Sequence, residues 1–177
     1  MPAEWERHHA TWIGWPHNAS DWPGRLGPIP WVYAEIVRKL APGEVVRVLV
    51  NSGVHERKAR SVLARAGVDP GRVEFFHFPT NRGWTRDFGP LFVRRAGARP
   101  ELAIARFRFN AWAKYPDWKK DDRIPERVGA RLRRSGRTSL PRRRVCRNDF
   151  RDRSPQGELP GPRRLNRGGP SWSNHGF

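Results

Sequence analysis

Residues 81–90 bring together side chains that could bind a cationic substrate. The stretch reads Asn-Arg-Gly-Trp-Thr-Arg-Asp-Phe-Gly-Pro, with one indole, two guanidinium groups and one carboxylate. The Asp87 carboxylate could accept two parallel hydrogen bonds from a flat guanidinium ligand, and the Trp84 ring could stack on its face. In a purely structural alternative, Trp84 belongs to the hydrophobic core. The Asp87 carboxylate then pairs with one of the neighbouring arginines, Arg82 or Arg86.

Two apolar runs, residues 73–79 and 91–93, flank this stretch. Both are rich in aromatic and β-branched residues, which predicts strands. A loop between strands is where a rigid scaffold presents functional side chains. We therefore expect residues 81–90 to form a loop that displays Trp84 and Asp87.

The N-terminal part of the chain alternates between strand and helix patterns. Strands are predicted over residues 11–15, 44–50, 72–78, 89–95 and 101–109, and helices over 29–40, 54–66 and 125–132. In the second strand, Val46, Val48 and Val50 line one face. Val45 and Leu49 line the other face, which indicates burial between two layers. This order predicts an α/β fold whose last two strands form a hairpin.

The charge of the chain is large and unevenly distributed. Its 177 residues carry 35 Lys and Arg against 17 Asp and Glu, a formal net charge of +18. Residues 133–177 hold 12 Arg, no Lys and three acids, a net of +9, so about a quarter of the chain carries half of the charge. Taken alone, this charge favours a polyanionic partner such as nucleic acid.

Residues 133–177 differ in composition from the rest of the chain. They are rich in Arg, Pro, Gly and Ser, and their few apolar residues follow no helical or strand spacing. Such a segment buries too little apolar surface to offset the entropy of ordering, so we expect a disordered tail. The use of Arg without Lys also fits an out-of-frame reading of GC-rich codons.

The cellular compartment can be predicted from a few features. A single Cys excludes an internal disulfide and fits a reducing compartment. No apolar run is long enough to span a membrane, and the N-terminus lacks the basic start and apolar core of a signal peptide. We therefore expect a cytoplasmic protein without a membrane partner.

Several ordered motifs in residues 1–132 resemble one known family. Residues 84–90 resemble the W-x-R-D-x-G-P signature of agmatine deiminases and the related bacterial peptidyl-arginine deiminases. Residues 109–115 resemble the F-N-A-W-G-x-K-Y segment of that family, and the acidic pair Asp121-Asp122 and then Pro125 follow in family order. The start of the chain, through Trp15-Pro16-His17-Asn18, resembles the start of these enzymes.

The resemblance implies a pentein fold, a five-bladed α/β propeller, of which residues 1–132 would form about two blades. It also implies hydrolysis of a guanidinium C–N bond in an amidine. With agmatine the products would be N-carbamoylputrescine and ammonia, on the route to putrescine. In the family mechanism a Cys thiolate attacks the guanidinium carbon, ammonia leaves, and water activated by a His resolves the intermediate. No metal or organic cofactor is implied.

The resemblance also assigns roles to individual residues. Asp87 matches the first guanidinium-binding carboxylate of the family, and Trp84 matches the aromatic residue beside the substrate. Trp12 and the segment 15–18 either line the mouth of the pocket or belong to the core. His17 is given no catalytic role. The residues expected to shape the loop are Arg86, Gly89 and Pro90.

Several departures from the family pattern affect the catalytic expectation. The E-G-G carboxylate segment, the H-x-D pair and the nucleophilic Cys of the family all come after the matched residues. Cys146 lies in Arg-Val-Cys-Arg, without the family's glycine or His context. Arg82 stands where the family has an acid, and Ala113 replaces a Gly. We therefore expect the chain by itself to be an inactive part of a deiminase-like protein.

Other functions stay open at this level. One is an activity like that of the peptidyl-arginine deiminases. Another is a non-catalytic, basic nucleic-acid-binding protein whose Arg residues contact phosphates without sequence specificity and whose Trp residues stack on bases. A third is a regulatory pseudoenzyme that binds agmatine through Trp84 and Asp87 without turning it over.

Overall fold

Two three-stranded sheets organise the part of the chain that the structure describes. The computed structural model describes residues 6–95, 101–134 and 145–148. The first sheet is parallel and has the order β1 (Ala10–Gly14), β2 (Val45–Leu49) and β3 (Val73–Phe76). The second sheet has the order β4 (Leu91–Arg95), β5 (Glu101–Phe107) and β6 (Val145–Asn148), with β4 antiparallel and β6 parallel to β5.

Helices α1 (Ile29–Leu40) and α2 (Gly53–Arg65) connect the parallel strands. The hydroxyl of Ser52 accepts the N–H of His55 at 3.2 Å and so caps the start of α2. Gly67 follows α2 with a φ of +73°, the left-handed conformation that ends helices and favours glycine. The predicted α/β class and both helices are confirmed, with ends within one residue of those expected. No helix among the described residues is long and apolar enough to cross a membrane.

Strand β2 is buried on both faces, as its sequence predicts. Val46, Val48 and Val50 belong to a core that also contains residues of α1 and α2. Leu49 points to the other side and joins a second core. The first sheet is therefore the middle layer between two apolar clusters.

The second core lies between the first sheet and the β4–β5 hairpin, and includes helix α4 (Ile124–Arg134). Its buried members are Leu49, Phe88, Ile104, Phe109, Ala111, Ile124, Val128 and Leu132. In the hairpin, Ile104 is opposite Phe92, and both side chains pack into this core. The predicted hairpin is thus confirmed, and it places the motif at residues 109–115 beside the stretch 81–90.

Two expectations need correction. Residues 81–90 are not all loop, because Thr85–Phe88 forms a short helix, α3. Disorder from residue 133 onward was also expected, yet α4 continues to Arg134 and residues 145–148 form β6. β6 pairs with an edge of β5 whose backbone groups would otherwise lack strand partners, and this pairing does not depend on side-chain periodicity. Residues 135–144 and 149–177 lie outside the described residues.

Candidate functional site

Helix α3 presents the two residues that the sequence singled out. Phe88 is 3% exposed and fixes α3 on the second core, and the Asp87 N–H donates to the Trp84 carbonyl at 3.0 Å. The Asp87 side chain is exposed, and its carboxylate has no hydrogen bond or ion pair among the described residues. This carboxylate is therefore accessible to a ligand.

Trp84 belongs to an aromatic group that joins the core to the surface. Its ring centroid lies 5.4 Å from that of Trp112 and 5.1 Å from that of Tyr115. Trp84 is partly buried against the second core, whereas Trp112 is 58% exposed. Trp84 is thus both a packing residue and part of an accessible aromatic surface. It therefore combines the two sequence-based alternatives, a core residue and a ring available for stacking.

Arg82 does not pair with Asp87, which rules out that part of the structural alternative. Its guanidinium group donates to Asp21 at 2.7 Å and to Asp117 at 2.7 Å. Burial by itself would lower the pKa of Arg82, but the hydrogen bonds and charges of Asp117 and Asp21 raise it. Arg82 is therefore a neutralised structural cation. The two carboxylates more than balance the charge of Arg82, so the group carries no net positive charge that would repel a cationic ligand.

Residues that follow the first parallel strand hold the backbone before Trp84. The His17 ring lies within hydrogen-bonding distance, 3.1 Å, of the Thr80 carbonyl oxygen. The Asn18 amide donates to the Asn81 carbonyl at 2.9 Å. Asn51, which follows β2, accepts the Thr80 N–H at 2.9 Å. The carboxyl ends of parallel strands are where ligands bind in open α/β sheets, and here they position the 81–90 stretch.

Trp12 and Trp15 pack in the two cores of this structure. Trp15 is 2% exposed and lies in the first core. Trp12 packs on Phe76, with ring centroids 4.8 Å apart, and the Arg47 guanidinium lies 5.3 Å from its ring. Trp15, Pro16 and His17 also line a surface cavity beside α2, so the alternative placement of residues 15–18 at a pocket mouth stays open.

Asp121 supports the same backbone from the opposite side. Its side chain is fully buried, and its Oδ1 accepts the N–H of Asn81 at 2.6 Å and that of Arg82 at 3.4 Å. Its Oδ2 is buried without a hydrogen-bond partner among the described residues. Burial raises the pKa of the Asp121 carboxyl to about 6, and the nearby Asp117 charge adds to this effect.

A left-handed turn carries Trp112 to its position beside Trp84. Ala111, Trp112 and Ala113 have φ values of +52°, +56° and +55°. This conformation costs a non-glycine residue about 1–2 kcal/mol. The motif resemblance calls for Gly at position 113, so here the strain is borne by alanine.

We expect the substitution Ala113→Gly to raise the free energy of unfolding by about 0.5–1 kcal/mol, because relief of the strained φ outweighs the added freedom of the unfolded chain. Urea unfolding of both proteins measures the change. Ala64→Gly is the matched control, since Ala64 is exposed near the end of α2 and should lose about 1 kcal/mol. Equal losses in both variants would contradict the prediction.

Sequence reasoning missed several residues that organise the site. Asp21 and Asp117 hold Arg82, and Asn51 holds the backbone of Thr80. Asp117 lies just after the matched motif at 109–115. This closeness to a family motif was the sequence feature that could have identified it. Asp21 and Asn51 carry no local signal, because their partners lie far along the chain.

The described residues contain no group of three or more His, Cys, Asp or Glu side chains placed to hold a metal ion. Cys146, which the sequence did not favour as a nucleophile, occupies a position in β6 opposite Ala105.

Comparison with known proteins agrees with the motifs. The model of the Porphyromonas-type peptidyl-arginine deiminase family matches residues 1–144. The chain belongs to this family. The match extends beyond residue 132, where the motif resemblance ended, and it confirms the recognition made from residues 1–132.

Relatives within the family are agmatine deiminases. The chain is 30% identical over 133 residues to the agmatine deiminase of Pseudomonas aeruginosa (strain LESB58), an alignment that covers 72% of this chain and 34% of that protein. It is 31% identical over 139 residues to the agmatine deiminase of Medicago truncatula, covering 72% and 35%. The chain thus spans about a third of the length of these relatives.

A solved structure shows that the fold is shared. The C. jejuni C315S agmatine deiminase with substrate bound superimposes with a TM-score of 0.61 at 23% identity, covering 83% of this chain and 38% of that one. The mixed α/β fold expected from the resemblance is therefore the fold of agmatine deiminases over the matched part.

Proposed function

We propose that this chain forms the guanidinium-recognition part of an agmatine deiminase-type hydrolase, with about two of the five expected blades. In this proposal Asp87 accepts hydrogen bonds from the guanidinium group, and Trp84 provides an aromatic surface beside it. The whole reaction would convert agmatine and water to N-carbamoylputrescine and ammonia, in putrescine biosynthesis. The observation that carries the proposal is the exposed Asp87 carboxylate, which lies one helical turn after Trp84 and pairs with no described residue.

Electrostatics at the site support a cationic ligand. The Arg82 guanidinium and its partners Asp21 and Asp117 sum to one negative charge, and Asp87 adds a second nearby in sequence. Trp112 extends the ring surface of Trp84 into solvent. A planar cation gains from both features, since aromatic faces and carboxylates each stabilise positive charge.

Catalysis requires groups that the matched residues do not supply. The nucleophilic Cys, the H-x-D pair and the second carboxylate are expected beyond them, and the relatives are about three times as long as the matched part. We therefore propose that the 177-residue chain binds the guanidinium ligand without hydrolysing it. A cytoplasmic location fits this chemistry, and nucleic-acid binding through residues 133–177 stays a non-specific, charge-driven prediction.

We expect Asp87→Asn to weaken agmatine binding about 30-fold or more, because an amide cannot offer two charged acceptors to the guanidinium group. Titration of tryptophan fluorescence, checked by calorimetry, measures the affinity. Glu35→Gln is the matched control, since it removes an exposed carboxylate from α1 and should leave the affinity unchanged. Putrescine, which lacks the guanidinium group, should bind wild type as weakly as agmatine binds Asp87→Asn.

The results separate the possibilities. Equal affinity of wild type and Asp87→Asn for agmatine would remove Asp87 from the site. Ammonia release from agmatine by the purified chain would overturn the proposed lack of turnover.

The family name also raises peptidyl-arginine as the ligand. Both ligands present the same guanidinium group, and they differ at the far end of the aliphatic chain, where agmatine has no backbone amide groups. Titration with N-acetyl-arginine amide beside agmatine distinguishes the two, because a site for peptidyl-arginine should bind the blocked arginine at least as tightly as agmatine.

A further inference from the structure

The Arg82 side chain occupies a guanidinium site inside the protein, in which its two terminal nitrogens have partners and its buried Nε has none among the described residues. Its guanidinium donates to the Ser20 hydroxyl at 2.6 Å, to Asp21 Oδ1 at 2.7 Å and to Asp117 Oδ1 at 2.7 Å. Its central carbon lies 5.0 Å from the Trp84 ring centroid and 4.9 Å from that of Tyr115. We call the five residues around it the Arg82 cradle: Ser20, Asp21, Trp84, Tyr115 and Asp117.

The Arg82 cradle is built for a guanidinium group rather than for any cation. A guanidinium group has a planar fork of donors and faces that stack on aromatic rings, whereas an ammonium group is a compact, strongly hydrated charge. The two carboxylates each accept from one terminal nitrogen of Arg82, and both aromatic rings lie close to its central carbon. The Asp21 side chain is 2% exposed and that of Arg82 is 7% exposed, so this contact is made away from water, whereas Asp117 is 36% exposed.

Arg82 also forms part of the wall of the candidate ligand site. Trp84 contacts Arg82, and Trp84 is the ring that the proposed function places beside the substrate. The backbone N–H groups of Arg82 and its neighbour Asn81 are bound to the buried Asp121. Motion of Arg82 would therefore be transmitted to Trp84 and the start of α3.

We propose that Arg82 is a positioning residue, an internal guanidinium ligand that orients Trp84, and that the Arg82 cradle accepts free guanidinium cations when this side chain is removed. The effect on substrate rests on the proposed function, whereas binding of small guanidinium ions to the emptied cradle does not. Removal of Arg82 leaves the buried Asp21 without its countercharge, which a small cation of matching shape can restore.

The first experiment tests the cradle in the double variant Arg82→Ala/Asp87→Asn, so that the candidate ligand site cannot contribute. The thermal midpoint is measured with millimolar methylguanidinium chloride and with methylammonium chloride at equal ionic strength. We expect methylguanidinium to raise the midpoint by several degrees and methylammonium to have little effect. Arg38→Ala, which removes an exposed arginine paired with Glu35, is the control and should show no selective shift.

The same experiment tests the cradle even if the double variant does not fold without added salt. Folding in methylguanidinium, but not in methylammonium, counts as the expected result. Equal effects of the two salts, or no folding in either, would overturn the proposal that the emptied cradle binds guanidinium cations. Addition of Asp21→Asn should abolish the selective shift, and a shift that persists would also overturn it.

A second measurement tests positioning. Agmatine affinity is measured for folded Arg82→Ala, well below its melting temperature, and we expect a loss of about tenfold. Arg82→Lys keeps the charge but not the fork, and should lose affinity to a similar extent. Unchanged affinity in Arg82→Ala would overturn the positioning role. If wild type does not bind agmatine, the proposed function fails, and the salt experiment still decides the cradle.

Discussion

The Asp121 carboxyl group is expected to lower the stability of the protein as the pH rises from about 4 to about 6. Burial raises the pKa of this group from 3.8 to about 6 in the folded protein. In the unfolded chain the group is solvated and ionises near the lower value. Between the two values the folded state holds a proton that the unfolded state has lost.

This difference fixes the sign of the effect. Because the folded state binds more protons in this window, the free energy of unfolding falls with rising pH. The shift of about two units corresponds to a change on the order of 3 kcal/mol between pH 4 and pH 7. Burial by itself would raise the pKa of Asp117, but the hydrogen bond and charge of Arg82 lower it from 3.8, so Asp117 contributes a slope of opposite sign only below this pH window.

The variant Asp121→Asn isolates the Asp121 contribution. The asparagine carbonyl can still accept the N–H groups of Asn81 and Arg82, but it does not ionise. Urea unfolding over this pH range should therefore show Asp121→Asn gaining about 3 kcal/mol relative to wild type from pH 4 to pH 7. Parallel curves for the two proteins would contradict the prediction.

Asp121→Ala provides the matched comparison. It removes the acceptor as well as the charge, and leaves two backbone N–H groups without this partner in a buried position. We expect it to lose about 3 kcal/mol at pH 4, where wild-type Asp121 is neutral. A smaller loss of unfolding free energy than in Asp121→Asn would show that the hydrogen bonds to the N–H groups of Asn81 and Arg82 are not needed to hold this backbone.

Local sequence patterns were sufficient to predict the longer helices and the strands of the first sheet and the hairpin. Helix α1 lies between a proline-rich segment and a Pro-Gly pair, which mark its two ends. Strand β2 carries apolar residues on both faces. Both elements were therefore predictable from residues close in sequence. The exposure of Asp87 agrees with the prediction that the motif at residues 84–90 lies at the surface. These features depend on residues close in sequence.

Long-range pairing was not predictable in the same way. Arg82 is 61 residues from Asp21 and 35 from Asp117, and no local spacing links them. Strand β6 is four residues within an Arg-rich segment, and it follows from an available edge of β5. The left-handed turn around Trp112 contains no glycine that would have signalled it. In each case tertiary contacts outweigh local preference.

The substitution Gly89→Ala is expected to destabilise the protein by about 3 kcal/mol and to displace α3. A Cβ atom on Gly89 would overlap the carbonyl oxygen of Thr85, which is the acceptor of the Gly89 N–H at 2.8 Å. The obstacle is backbone rather than a movable side chain, so the last turn of α3 must open. Asp87 lies in that turn, and its carboxylate would move with it.

Gly27→Ala is the control, because a Cβ atom on Gly27 meets nothing within 4 Å. Urea unfolding should show a change of less than about 0.5 kcal/mol for this variant and the large loss for Gly89→Ala. Agmatine titration of folded Gly89→Ala should also show a weaker affinity than wild type, because the Asp87 carboxylate no longer faces the same space. Wild-type stability in Gly89→Ala would show that α3 can shift without cost, and that the bend at Gly89 does not fix the position of Asp87.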